Sequence, residues 1–375
     1  MKTTERRFDI DWLRVIAIGF LILYHVGFVF LPWGVFIGFI QNGESINSLW
    51  NIMSMLNVWR IPLLFFVSGM GVCFAIRRRS WTQLILERTR RILVPFLFGI
   101  LCIVPLHLLV WQTYYNQDIA YSLQVSHLWF LANIFLYVLV LSPLFFYLKK
   151  HESGKFSKIL KRMVGTLPGL VFIMGVFVIE AIWLKPESFE TYSMTLHGFL
   201  LGLLAFLVGF IIVQSGEAFW KLVSKWRWLL LLLAAGLYTF RLIQFELLAP
   251  NYLKAIESNL WIFAIFGFGF RYLNHPGKAL NYLSQAAYPV YILHMIFLYV
   301  GSYLIVPLEL PALVKLFLVL ASTFIGSFTF YEFIIRRIKI LRPLFGLKGM
   351  KTETTHKTLG PIPAARMANT SPPGE

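Results

Sequence analysis

Two ionisable side chains, Arg14 and His25, stand inside the first long apolar run of the chain, Phe8 to Phe28. In hydrocarbon such a group costs about 3 kcal/mol on insertion scales, so by default it marks a ligand site or a proton pathway. On a helix, eleven steps at about 100° bring the two side chains back to within roughly 20° of each other, about 16 Å apart along the axis. They share one face. A guanidinium at one end of that face suits an anion. An imidazole at the other end lies deep in the membrane, with room between the two for an extended ligand. Arg14 alone also reads as a snorkelling anchor. His25 is too deep to snorkel, and its second reading is a neutral ring satisfied by a neighbouring helix.

Other residues of the same kind recur along the chain. Arg60 lies in the second apolar run, and Arg88 and Arg91 precede the third, three residues apart, facing one way on a helical turn. Two guanidiniums there suit phosphate oxygens, and the alternative is an ordinary basic cluster at a membrane surface. His127 opens the fourth run beside Trp129, where an aromatic-belt reading competes. In the ninth run Tyr288, Tyr291 and His294 follow at three-residue steps along one flank, with Pro289 between them. His294 is placed to orient His25 or to line a tunnel. Arg241, Glu180, His197 and His107 fall at similar depth, which suggests a polar cavity, with Glu180 pairing to an arginine. Cys73 and Cys102 lie in apolar runs and read as inert core thiols. They support neither a disulfide framework nor a metal site, and no metal is expected.

The elements that must position these groups follow from composition. Of 375 residues, 58% are hydrophobic and only 14% charged, against about 25% charged in soluble domains; the mean hydropathy is +0.71. The chain belongs in a lipid bilayer. Its net charge of +17 is accounted for by basic loops beside membrane spans, so nucleic acid is not an expected partner. Ten runs are long enough to cross: 10–32, 50–76, 92–112, 127–148, 167–185, 195–214, 227–248, 258–273, 285–306 and 312–336. The eighth is short and rich in glycine. Pro95 reads as the start of the third helix, and Ser68, Gly69 and Gly71 as close-packing positions on the second. Every second loop is basic. The expectation is an all-α, polytopic membrane bundle of about ten transmembrane helices with both termini cytoplasmic, a membrane domain over 1–345 and a disordered cytoplasmic tail over 346–375.

An arginine, ten residues and a histidine on the first helix resemble the signature of the acyltransferase-3 family of integral-membrane O-acyltransferases. Further stretches are similar to the family's motifs: Phe-Phe-Val-Ser-Gly ending at Gly69, Arg88-Thr-Arg-Arg-Ile-Leu-Val-Pro95, His127-Leu-Trp-Phe-Leu131, and the Ser, Tyr-Pro, Tyr, His pattern ending at His294. The Asp-Trp-Leu-Arg start and the Phe-Tyr-Glu-Phe segment around Glu332 most resemble the periplasmic glucan succinyltransferase-like branch. The likeness covers roughly residues 5–150 and 280–346, and spans five to eight match mainly in count.

The resemblance implies transfer of an acyl group, acetyl or succinyl, from cytoplasmic acyl-coenzyme A to a hydroxyl of an extracytoplasmic glycan, in the inner membrane of a cell. It implies His25 as the catalytic residue and Arg14, Arg88 and Arg91 as the donor-binding residues. Arg60, His127, Tyr288, Tyr291, His294 and Arg241 are then candidates for substrate contact, with Arg60 and Arg241 suited to a dicarboxylic acyl group, sugar hydroxyls or Glu180. His25 acting as general base and His25 forming an acyl intermediate both stand, as does a non-catalytic transporter or glycan flippase. Arginine and histidine are expected to be joined by one continuous passage. No oligomeric state is legible.

Overall fold

The computed structural model describes residues 6–349; of the tail expected over 346–375, residues 350–375 lie outside the described residues. Among the described residues every regular element is helical, and ten helices are long and apolar enough to cross a bilayer. They are α1 (Phe8–Phe28), α2 (Leu49–Ile76), α3 (Trp81–Tyr114), α4 (Ser126–Lys150), α5 (Leu167–Leu184), α6 (Leu196–Gln214), α7 (Glu217–Phe245), α8 (Asn251–Tyr272), α9 (Lys278–Ile305) and α10 (Ala312–Ile335). The protein is a multi-pass helical membrane protein.

α2 is apolar all round its circumference, and a helix of that kind is stable only when enclosed. It is the most buried of the ten, wrapped by α1, α4, α6 and α8. Its close approach to α6 rests on two glycines used reciprocally. A Cβ on Gly69 would overlap the Phe206 carbonyl, and one on Gly209 would overlap the Phe66 carbonyl. Gly71 differs from the packing role expected for it, because what it faces is the Arg14 guanidinium.

Prolines shape the helices that surround the site, and hydroxyls repair what they break. Proline cannot donate to the carbonyl four residues back. For Pro62 that carbonyl is Val58, and Tyr192 donates to it at 3.1 Å. For Pro105 it is Leu101, served by Tyr121 at 2.8 Å; for Pro143 it is Leu139, served by Ser142 at 3.2 Å. Tyr192 lies between α5 and α6, where burial holds its phenol well above the usual tyrosine range, so it remains a donor.

Two helices differ from the sequence reading. α3 begins at Trp81, eleven residues before the apolar run, held by a capping box between Ser80 and Gln83. Pro95 therefore lies within the helix; it and Pro105 each follow a π-turn, Thr89–Leu93 and Gly99–Ile103, whose wider winding accommodates a residue without an N–H. α8 begins at Asn251, seven residues before the expected start at 258, because Lys254 and Glu257 are buried and paired within its first turns. Cys73 is in the core as expected, but Cys102 is on the outer face of α3.

Candidate active site

At the end of the bundle where α1 begins and α10 finishes, α1, α2, α3, α4, α9 and the segment after α10 enclose a cavity of about 1010 Å³. Arg14, Arg88 and Arg91 all line it, with Tyr288 and Tyr291. Ten basic side chains face the space against two carboxylates, Asp11 and Glu87, so it is strongly attractive to anions. Glu87 accepts a hydrogen bond from Arg91 Nη1 at 3.0 Å, while its other oxygen lies 3.3 Å from Arg88 Nε without a hydrogen bond between them. Asp11 is 3.6 Å from Arg14 Nη1. The inner end changes character, being formed by Ile18, Leu64, Phe130, Leu131 and Tyr291. The Tyr288 ring, beside Gly346 and the Arg91 backbone, also lines the cavity, and its hydroxyl is buried without a hydrogen-bond partner.

Deeper along α1 four histidines gather, from α1, α9, α4 and α3. His25 Nδ1 is 2.8 Å from His294 Nε2, and His294 Nδ1 is 2.6 Å from the Tyr291 carbonyl. The two rings lie within 4° of parallel with centroids 5.1 Å apart, too far for a face stack and right for an edge-to-edge hydrogen bond. This chain fixes the tautomers. A carbonyl can only accept, so His294 donates from Nδ1 and accepts at Nε2. His25 then donates from Nδ1, and its Nε2 carries the free lone pair. That is the arrangement a general base requires, with the role of orienting carboxylate played by a histidine and a backbone carbonyl. His127 donates from Nε2 to the Ile292 carbonyl at 3.2 Å, and its ring meets His294 edge to face at 5.1 Å. His107 packs 5.9 Å from His127 and is 3.4 Å from Ser126 Oγ.

Tyr291 links the two regions. Its ring lines the cavity, its hydroxyl donates to the His127 carbonyl at 2.6 Å, and its own carbonyl orients His294. His25 is not among the residues that line this cavity, so the cavity as it stands does not join Arg14 to His25. On α1 its deepest lining residue is Ile18, seven residues before His25, which is about 10 Å of helix. His25 as a residue is half-buried.

Arg60 and Arg241 lie outside this cluster. Arg60 stacks its guanidinium on the Tyr24 ring, 3.8 Å from the centroid. Arg241 forms two hydrogen bonds to Glu257, at 2.8 and 3.0 Å. Glu180, expected to pair with an arginine, is instead bound to His197 at 2.8 Å, because the two face each other across the short α5–α6 connection. Sequence reasoning missed Arg342 and Lys348, which help close the cavity mouth. Their only signal was a basic stretch after Arg336, which also fits an ordinary cytoplasmic flank. Among the described residues no group of histidine, cysteine and carboxylate side chains has the geometry to hold a metal.

Comparison with known proteins gives one relationship. The acyltransferase domain family, acyltransferase-3, matches over residues 7–332, from the start of α1 into the last turn of α10. No curated protein and no solved structure matches the chain. The match takes in Arg14, Arg88 and Arg91 and all four histidines, while Arg342 and Lys348 lie beyond it, and the chain belongs to this family of acyltransferases.

Proposed function

We propose that this membrane acyltransferase draws its acyl group from acyl-coenzyme A held at the arginine-lined cavity and transfers it to a hydroxyl of an extracytoplasmic glycan. The observation that carries the reading is the His25 tautomer, fixed by His294 with its free nitrogen on the same helix as the cavity's Arg14. The cavity's charge suits the nucleotide phosphates, and its apolar inner end suits an uncharged pantetheine arm. In this reading Tyr291 and the Phe130 ring move aside to let the thioester advance to His25, while the acceptor approaches from the opposite side of the membrane.

Each step balances. His25 Nε2 takes the proton of the acceptor hydroxyl, worth about 10²- to 10⁴-fold. The oxygen attacks the thioester carbon, the C–S bond breaks, and the proton passes to the departing thiolate. The basic loops at the cavity end support a cytoplasmic position for both termini and an inner-membrane location. The α1 start and the α10 end support a place in the glucan succinyltransferase-like branch.

The test is thiol release from acyl-coenzyme A by detergent-purified protein, with and without glycan, joined to mass analysis of glycans from cells with and without the intact gene. Acceptor-dependent thiol release and a mass increment of one acyl group are expected. Neither appearing would sink the reading. An acyl adduct on His25 with donor alone would replace direct transfer with the covalent route.

A further inference from the structure

Six aspartate, glutamate, arginine and lysine side chains are classed as buried among the described residues: Asp9, Arg60, Glu180, Arg241, Lys254 and Glu257. Five have a counter-group. Asp9 is paired with Arg7, Arg241 with Glu257, Lys254 with Glu190, and Glu180 with His197. Arg60, 3% exposed, has no carboxylate within 4.0 Å among the described residues. Its Nε and Nη1 have no hydrogen-bond partner, and Nη2 makes one long contact of 3.4 Å with Asn57. The Tyr192 hydroxyl nearby is committed to the Asn57 and Val58 carbonyls.

A buried cation without a counter-ion is a costly feature in a membrane interior. The Tyr24 ring offsets part of that cost, because a guanidinium over an aromatic face is attracted by the ring. Stacking engages the flat face of the guanidinium and leaves its N–H groups, which lie in its plane, free to donate. Tyr24 is the residue before His25, so the unpaired cation is held against the same turn of α1 that carries the base.

We propose that Arg60 recognises an oxyanion on one of the two reactants, outside the nucleotide part of the donor. The group is a carboxylate or a phosphate. It is either the far end of a dicarboxylic acyl chain or an anionic substituent of the acceptor glycan. This rests on the reading of His25 as the reacting centre.

The test separates the inference from that reading. Thermal unfolding of detergent-purified wild type and Arg60→Met is followed with succinate and with inorganic phosphate at constant ionic strength. The cavity arginines respond alike in both proteins, so the difference reports Arg60. A larger rise in the wild-type midpoint with either anion is expected, and equal rises in both proteins overturn the inference even if the protein shows no turnover.

Turnover then identifies the source. Donors ending in a carboxylate and in a methyl group are compared at equal length, and acceptors with and without an anionic substituent. A loss of roughly 10- to 100-fold in kcat/KM confined to the carboxylate donor assigns the acyl chain, and one confined to the anionic acceptor assigns the glycan. An equal loss with neutral and anionic partners makes Arg60 structural. Should Arg60→Met fail to fold, Arg60→Lys keeps the charge and loses the fork, and an unchanged preference there would also overturn the proposal.

Discussion

Around α7 and α8 the buried ions neutralise one another, whereas around α1, α3, α4 and α9 the polar groups are oriented without being neutralised. Arg241 is bound through two nitrogens to both oxygens of Glu257, Lys254 to Glu190, and Ser188 to the same Glu190 oxygen at 2.6 Å. On the other side, His25 and His294 are held by each other and by a backbone carbonyl, and the His25 Nε2 has no hydrogen-bond partner among the described residues. Both regions bury residues of the same chemical types. Burial alone therefore does not mark a site, and neither does one unused donor, since Arg241 Nη1 also lacks a hydrogen-bond partner; what marks it is a base held in one tautomer with its lone pair free.

The sharpest way to break the comparison is to remove one group from each side. His25→Ala is expected to lower kcat by about 10²- to 10⁴-fold with little change in thermal stability, since the residue is half-buried and its ring bonds only His294. A large stability loss would move His25 to the structural class. Arg241→Met should do the reverse, destabilising by about 3–5 kcal/mol because Glu257 is left buried and unpaired. The double variant Arg241→Met with Glu257→Met should recover much of the lost unfolding midpoint in detergent. If the single variant were as stable as wild type, the network would not be a structural clamp.

This division was only partly legible in the sequence. Apolar run length set the ten crossings, because hydrocarbon thickness admits few alternatives. The face shared by Arg14 and His25 followed from helical periodicity, and three basic residues singled out for the donor, Arg14, Arg88 and Arg91, do line one cavity. The pairing was not legible. Arg241 and Glu257 are 16 residues apart and meet only because α7 and α8 pack antiparallel. A hydropathy window also placed Lys254 and Glu257 in a loop, since it registers their charge and cannot register that each has a partner. The same blindness to tertiary contact hid the repair of Pro62 and Pro105 by distant tyrosines.

A smaller effect tests the donor side of the comparison. In the proposed reading, Arg88→Gln or Arg91→Gln should each raise the KM for acyl-coenzyme A about tenfold while leaving kcat within about twofold, because each would remove one charge-assisted contact to a donor phosphate. The effect should shrink as salt rises, since the cavity mouth is open to water and its charges are screened. An equal fall in kcat with KM unchanged would place these arginines at the transition state and detach them from the nucleotide.

The smallest expected difference lies between two hydroxyls that do the same job in different surroundings. Tyr192 and Tyr121 each donate to a carbonyl left without its helical partner by a proline, but Tyr192 is 4% exposed and Tyr121 is 67% exposed. Tyr192→Phe leaves the Val58 carbonyl in the core with neither proline nor water to serve it, at a cost of about 1–2 kcal/mol. Tyr121→Phe should cost about 0.5 kcal/mol or less, because the side chain it alters is largely outside the core. Thermal unfolding of the two variants side by side measures the contrast. Equal losses would mean that the Leu101 carbonyl on α3 is as sheltered as Val58 in the centre of the bundle, and that enclosure of α2 is not what makes its repair necessary.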